Sequence, residues 1–261
     1  MQGCPISFSQ EKYGQKPSVS RLFFKDLFEI CFFSLFLCQK PTLMIEIHDL
    51  GATDSIFNQF MAELRDAAIQ QDRMRFRRNL ERIGEIMAYE ISKTLEYEEE
   101  EITTPLGIKE MRTLVEQPVI GTILRAGLPF HNGMLSMFDH ADNAFIAAYR
   151  KYDKNEDFEI KVEYYSSAEL EDKVLILCDP MLATGESIVK TLQGLTDDMS
   201  PKHIHIAVAV ASQEGLAYVQ RALSRWPITL WVGGIDEELT AKAYIVPGIG
   251  DAGDLAYGEK R

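Results

Sequence analysis

From Val119 onward the chain alternates short apolar runs with stretches of helical periodicity, and no other feature restricts its fold as much. The runs are Val119–Leu124 (VIGTIL), 144–148, 174–178 (VLILC), 203–211 (HIHIAVAVA) and Ile228–Val232. Helical patterns start near Ser187 and cover 213–223. Runs so short, and apolar on both alternating sets of positions, read as strands buried on two faces. Helices between them imply a mostly parallel sheet covered on both sides, an α/β fold. Ligands of such sheets gather at the carboxyl ends of the strands, so the residues that follow each run carry the functional information.

Upstream, an N-cap signal at Thr53 and Asp54 opens a helix with Ile56, Phe60 and Leu64 on one face. A second helix carries Leu80, Ile83, Met87 and Ile91 at helical spacing. Its other face is basic, with Arg73, Arg75, Arg77, Arg78 and Arg82, and is read as solvated or subunit-facing in preference to an RNA or anionic-effector surface. The acidic run Glu98 to Glu101 is expected to mark a turn leading to a hairpin around 103–107. Residues 1–43 are expected to be an extension outside the fold, with a single domain over 44–261. Residues 27–38 (LFEICFFSLFLC) follow basic residues as a targeting segment would, but the run is too short to span a membrane and Glu29 interrupts it.

Forty acidic against 27 basic side chains give a net charge of -13. That charge opposes nonspecific binding to nucleic acid or to an anionic membrane. An anionic ligand must be caught by local devices: a few arginines, a metal ion or a helix N-terminus. Cys4, Cys31, Cys38 and Cys178 form neither a disulfide framework nor a zinc spacing, which favours a reducing, cytoplasmic compartment. His203 and His205 share a strand face without a third ligand at useful spacing, so structural histidines are expected rather than a metal site.

The densest chemical signal follows the 174–178 run: Asp179, Pro180, Met181, Leu182, Ala183, Thr184, Gly185, Glu186 and Ser187. An acid at a strand end can bond sugar hydroxyls, while successive backbone N–H groups and a helix N-terminus cradle a phosphate. Thr184 and Ser187 add hydroxyls, and Gly185 permits close approach of the backbone. Arg125 follows VIGTIL and Arg150 follows 144–148, both at strand ends where a guanidinium fork can grip phosphate oxygens. Near the C-terminus, 244–254 (YIVPGIGDAGD) contains Gly248, Gly250 and Gly253 in a literal GxGxxG spacing. A dinucleotide fingerprint is rejected there, because it must open a helix within a βαβ unit and be followed by an acid about 20 residues on.

These four segments, in this order, resemble the uracil branch of the phosphoribosyltransferase family, over most of residues 44–261. The resemblance implies a phosphoribosyltransferase fold with N-terminal helices and a small hood. It implies transfer of the 5-phosphoribosyl group of 5-phosphoribosyl 1-diphosphate (PRPP) to uracil, giving UMP and pyrophosphate. It assigns the diphosphate to Arg125 and Arg150, the ribose phosphate to 179–187, and the base to Ile245, Gly250, Asp251 and Ala252, with Asp251 also facing PRPP. Main-chain groups of a glycine-rich loop can match the acceptor–donor–acceptor edge of uracil, and cytosine would leave polar groups unpaired at about 1–3 kcal/mol each. The resemblance further implies Mg²⁺ carried in by PRPP rather than by a protein metal site. It also implies a homo-oligomer, and in part of the family a GTP effector whose position this sequence does not mark. Residues 164–167 (YYSS) resemble the family's flap, and by themselves read only as a loop before a strand. One departure is Glu186, where the uracil branch carries glycine; its side chain is expected to point away from the phosphate. The competing readings are an RNA-binding regulator on the same fold, a homologue inactivated at Glu186, and an enzyme for another base.

Overall fold

The computed structural model describes residues 44–152, 158–196 and 200–259, with side chains at 148–152 and 158–165 outside the description. The expected extension, 1–43, therefore lies outside the described residues, together with Cys4, Cys31 and Cys38.

The strands of the central sheet are β1 (Glu46–Asp49), β4 (Val119–Leu124), β5 (Asp142–Tyr152), β6 (Phe158–Ser167), β7 (Val174–Leu182), β8 (His203–Ser212), β9 (Ile228–Val232) and β10 (Ile235–Asp236). Their order is β1-β9-β8-β7-β4-β5-β6, with β10 pairing onto the end of β8. Every pairing is parallel except that of β6 with β5. Two hairpins stand apart, β2 (Tyr97–Thr104) with β3 (Gly107–Leu114), and β11 (Glu238–Leu239) with β12 (Ile245–Val246).

Strand alternation sorts the apolar side chains into two cores. On one face Ile176, Cys178, Ala207 and Ala209 pack beneath helices α1 (Ile56–Arg65), α2 (Arg73–Ser92), α3 (Leu128–Leu135) and α6 (Ala252–Tyr257). On the other, Leu175, Leu177, Ile206 and Val208 meet α4 (Glu186–Thr196) and α5 (Gln213–Ala222). Both faces being covered explains why the runs are apolar throughout rather than alternating.

The helix α1 begins one residue later than the sequence suggests, because the Ser55 hydroxyl, not Thr53 or Asp54, accepts the Phe57 N–H. Asp72 caps α2 by accepting from Met74 and Arg75 N–H groups. On the basic face of α2, Arg73, Arg75 and Arg78 are exposed, as a solvated face requires, and two of its arginines also bind neighbouring elements. Arg75 is paired in a fork with Glu63 of α1 at 2.8 Å, and Arg77 donates to the Ala256 carbonyl of α6 at 2.7 Å. Hydrogen bonds from Arg75 and Asn79 hold the Glu63 carboxyl down at about 2. Arg78 does face solvent, beside Glu81 and Glu85.

Two further expectations are corrected. Glu98 to Glu101 do not form a turn; they lie in β2, opposite Thr113, Arg112, Met111 and Glu110. Exposure lets the four carboxylates stay hydrated, and the turn falls at 104–107, where the Thr104 hydroxyl accepts from Leu106 and Gly107 N–H groups. Residues 164–167 are not a loop but the end of β6, an edge strand antiparallel to β5. The histidines meet the structural expectation. His205 is buried, its Nδ1 accepts from the Trp231 indole at 3.1 Å, and burial pushes its pKa down to about 3. Among the described residues no group of three or more His, Cys, Asp or Glu side chains could hold a metal, and no helix is long and apolar enough to cross a membrane.

The crossing of α2 and α3 depends on an absence of side chain. A Cβ on Gly133 would lie 2.0 Å from the Glu81 carbonyl oxygen, whereas one on Gly194 of α4 would meet nothing within 4 Å. Gly133→Ala is expected to destabilise the protein by about 1–3 kcal/mol through overpacking. Gly194→Ala should be neutral, or stabilising by up to about 1 kcal/mol, through helix propensity. Urea denaturation of the two variants checks the contrast.

Candidate active site

The chain leaves β4 toward β5 on one side, while β7, on the other side of β4, leads to β8 and β9. The carboxyl ends of β4 and β7 thus flank the point where the winding reverses, which is where open α/β sheets place a crevice. A cavity of about 460 Å³ opens there. It is lined from β4 by Arg125, from β7 and its loop by Asp179 and Met181 to Gly185, from α4 by Ser187, and from the C-terminal segment by Tyr244, Ile245 and Asp251.

The loop after β7 keeps its shape through its neighbours. Gly185 has φ +80°, in the left-handed region, and a Cβ there would sit 2.9 Å from Val219 and 3.0 Å from the Gly215 carbonyl. Ser212, at the end of β8, donates from its hydroxyl to the Ala183 carbonyl at 2.6 Å and accepts the Gly215 N–H at 2.9 Å. It therefore caps α5 and ties down the preceding loop with one oxygen. The Thr184 hydroxyl accepts the Glu186 N–H at 3.4 Å, at the entry to α4. Gly185 and Ser187 line the cavity but Glu186 between them does not, in keeping with a carboxylate directed elsewhere. Pro180 is buried within β7 and is likewise absent from the lining.

Arg125 is half-exposed and engaged with the last helix: Nη2 donates to Asp254 at 2.9 Å and Nη1 to the Gly258 carbonyl at 3.1 Å. Its Nε is buried with no hydrogen-bond partner among the described residues. Asp251 is the N-cap of α6, accepting the Asp254 N–H at 3.0 Å. Asp254 was invisible as a functional residue in the sequence, since nothing local to it signals a partner 129 positions away. Tyr244 and Ala243 were missed as well, although Tyr244 adjoins Ile245 in sequence and in the lining. Gly250 lies outside the main cavity and lines a second one that shares Asp251, and Ala252 is fully buried at the start of α6. Arg150 is on β5, with Ile160 as its cross-strand partner, and its side chain is outside the described residues.

Asp179 is a half-buried carboxyl at a strand end, on the wall of the cavity. Desolvation pushes its pKa up to about 7, and the Met181 backbone hydrogen bond offsets this only in part. It thus exchanges its proton near neutrality, when it can both donate to and accept from a hydroxyl.

Comparison with known proteins fits this geometry. Residues 53–259 match the family model described as Uracil phosphoribosyltransferase. A uracil phosphoribosyltransferase of Porphyromonas gingivalis is 51% identical over 216 residues, covering 83% of this chain and 100% of the relative. That of Methanothermobacter thermautotrophicus is 39% identical over 185 residues, 70% of this chain and 83% of the relative. This chain belongs to the uracil phosphoribosyltransferase family. Among solved structures, the AQ2163 protein from Aquifex aeolicus superposes with a TM-score of 0.72 at 31% identity, over 81% of this chain and 98% of that one. That solved structure thus shares the fold described above, a mostly parallel sheet between two helical layers.

The raised pKa of Asp179 has a measurable consequence. The folded state keeps this proton up to about pH 7, while an unperturbed aspartate releases it near 3.8. Between those values the folded state binds more protons than the unfolded chain, so this residue makes stability fall as pH rises through them. Asp179→Asn should therefore gain thermal stability relative to the parent as pH rises from 5 to 8. A difference that stays constant or shrinks over that range would refute the assignment.

Proposed function

We propose that this chain transfers the 5-phosphoribosyl group of PRPP to N1 of uracil, releasing pyrophosphate. The observation that carries the reading is the cleft at the sheet's switch point, where Arg125, the loop after β7 and the segment around Asp251 converge in a chain of this family. The 5-phosphate is received by backbone N–H groups at the entry to α4, with the Thr184 and Ser187 hydroxyls beside them. Asp179 bonds the ribose hydroxyls. Arg125 takes the diphosphate, which competes with Asp254 for the guanidinium and offers an oxygen to its buried Nε. Arg150 is assigned as the second diphosphate grip. Ile245 and Tyr244 form the wall against which the planar base lies, with the backbone from Gly250 to Ala252 beyond it.

In the reaction the bond from ribose C1 to the diphosphate oxygen breaks as that from uracil N1 to C1 forms, and the N1 proton departs. Arg125 and Arg150 stabilise the charge that develops on the leaving group. Asp251 steadies the positive character at C1 or accepts the N1 proton. Holding the base and the sugar at bonding distance contributes as much as proton transfer. The carboxylates lining the cleft, Asp179 and Asp251, are oxygen donors of the kind Mg²⁺ favours, and would face an ion carried in on the diphosphate through its remaining waters. That ion would supply charge neutralisation on the phosphate oxygens. The reading extends to a cytoplasmic homo-oligomer with GTP as effector, tested by light scattering and by adding GTP to the assay.

The test is conversion of labelled uracil to UMP with PRPP and Mg²⁺, alongside the variant Asp251→Asn. Asparagine caps a helix as well as aspartate does, so the substitution leaves α6 in place and isolates the charge. The parent should form UMP only when PRPP is present, and the variant should lose roughly 100-fold or more in kcat with PRPP affinity little changed. Equal losses in both would remove Asp251 from the chemistry. Turnover of another base instead of uracil would redirect the specificity. Bound PRPP without any turnover would favour a regulator or an inactive homologue.

A further inference from the structure

Behind the cleft, one ion pair with a buried carboxylate and a partly exposed guanidinium holds the glycine-rich segment by its backbone. Arg65, at the last position of α1, donates from Nη1 and Nη2 to the two carboxylate oxygens of Asp236 at 2.8 and 3.0 Å. Asp236, on β10, is 7% exposed. The pair does not end on itself. Asp236 also accepts the Gly248 N–H at 2.9 Å, and Arg65 Nη1 also donates to the Gly248 carbonyl at 3.1 Å. Both polar backbone groups of Gly248 are thus fixed by side chains, one of them 183 positions away in sequence. Gly248 itself has φ +60°, and a Cβ there would lie 2.2 Å from the Ile245 carbonyl oxygen, so it closes a tight turn on Ile245, a residue of the cleft wall.

Neither Arg65 nor Asp236 lines the cleft, so neither can act on a substrate directly. Such a pair is also weak support for stability, because burying the Asp236 carboxylate costs much of what its attraction to Arg65 returns. Its demonstrable effect here is to fix position. The placement of Asp236 strengthens the case: it pairs in register with Ser212, the residue that bonds the Ala183 carbonyl of the phosphate loop. The junction of β8 and β10 therefore anchors both walls of the cleft, one through Ser212 and the other through Asp236.

We propose that Arg65 and Asp236 are positioning residues for base recognition, holding Gly248 so that Ile245 and the backbone after it keep the spacing that admits uracil and rejects cytosine. The proposal rests on the activity proposed above and assigns it a specificity determinant outside the cleft. Lysine at 65 keeps the charge but cannot span both carboxylate oxygens and the Gly248 carbonyl at once. Asparagine at 236 keeps an acceptor for the Gly248 N–H while removing the ion pair.

The experiment measures steady-state kinetics for Arg65→Lys and Asp236→Asn, with uracil and cytosine as competing bases, and amide hydrogen exchange across 244–251 in the same proteins. In Arg65→Lys the KM for uracil should rise roughly tenfold, the cost of losing one charge-assisted hydrogen bond at the turn. The KM for PRPP should change less than threefold, discrimination against cytosine should fall, and exchange should quicken at 244–251 but not in α2. Asp236→Asn should fall between this variant and the parent. Unchanged uracil KM with only kcat reduced, as a smaller folded fraction gives, would overturn the proposal, as would unchanged exchange in the segment. A parent protein that turns over no uracil would overturn the functional reading, while the exchange measurement still judges whether the ion pair holds the segment. If Arg65→Lys does not fold, Asp236→Asn carries the test with the same two readouts and the same overturning results.

Discussion

The site exists because β4 and β7 lie side by side and parallel. Their register sets Val119 against Leu175 and Thr122 against Cys178, so the two strands run on together and deliver Arg125 and Asp179 to the same end of the sheet. A connection from β4 goes one way and a connection from β7 the other, which leaves the space above their ends free of crossing chain. Everything else at the site is attached to this pair. The phosphate loop continues β7, α4 starts from that loop, and the final helix closes against the end of β4 through Arg125 and Asp254.

That arrangement explains which parts were legible in the sequence. VIGTIL, VLILC and HIHIAVAVA are central strands packed on both faces, and their continuous apolar character is the direct record of that environment. The loop after β7 was legible because its chemistry is local: an acid, hydroxyls and a left-handed glycine within nine residues. Elements stabilised from a distance were not. The four-residue strand β1 holds Glu46 to Asp49 only by pairing with β9, and its own composition gives no strand signal. Glu98 to Glu101 looked like a turn because acidic residues are poor strand formers, yet an exposed hairpin needs no apolar face to tolerate them. The segment 164–167 is a strand because β5 presents an edge to it, a fact about the partner rather than about its own residues.

Within the site the same division holds. Arg125 and Asp179 could be named from strand-end position, and Asp251 from the glycine-rich segment and the resemblance it carries. Asp254, Arg65 and Asp236 could not, because what makes them matter is a partner more than 100 positions away. A sequence pattern shows periodicity and local chemistry; it carries no trace of which arginine meets which acid once the layers have packed.

Those pairings also answer how a chain with a net charge of -13 can offer a site to a polyanion. Several arginines outside the cleft are spent on acids or carbonyls that hold the architecture: Arg65 on Asp236 and Gly248, Arg75 on Glu63, Arg77 on the Ala256 carbonyl. Arg125 differs, because it lines the cleft and its carboxylate partner is itself about one-third exposed. A half-hydrated ion pair contributes little to stability and can be exchanged at small cost. A diphosphate carries more charge than Asp254 and meets the guanidinium with oxygens on more than one edge, so it can displace the carboxylate while a neutral ligand cannot. On the proposed assignment of the diphosphate to Arg125, the acidic surroundings act as a filter rather than an obstacle: a ligand has to compete as an anion before it can be held.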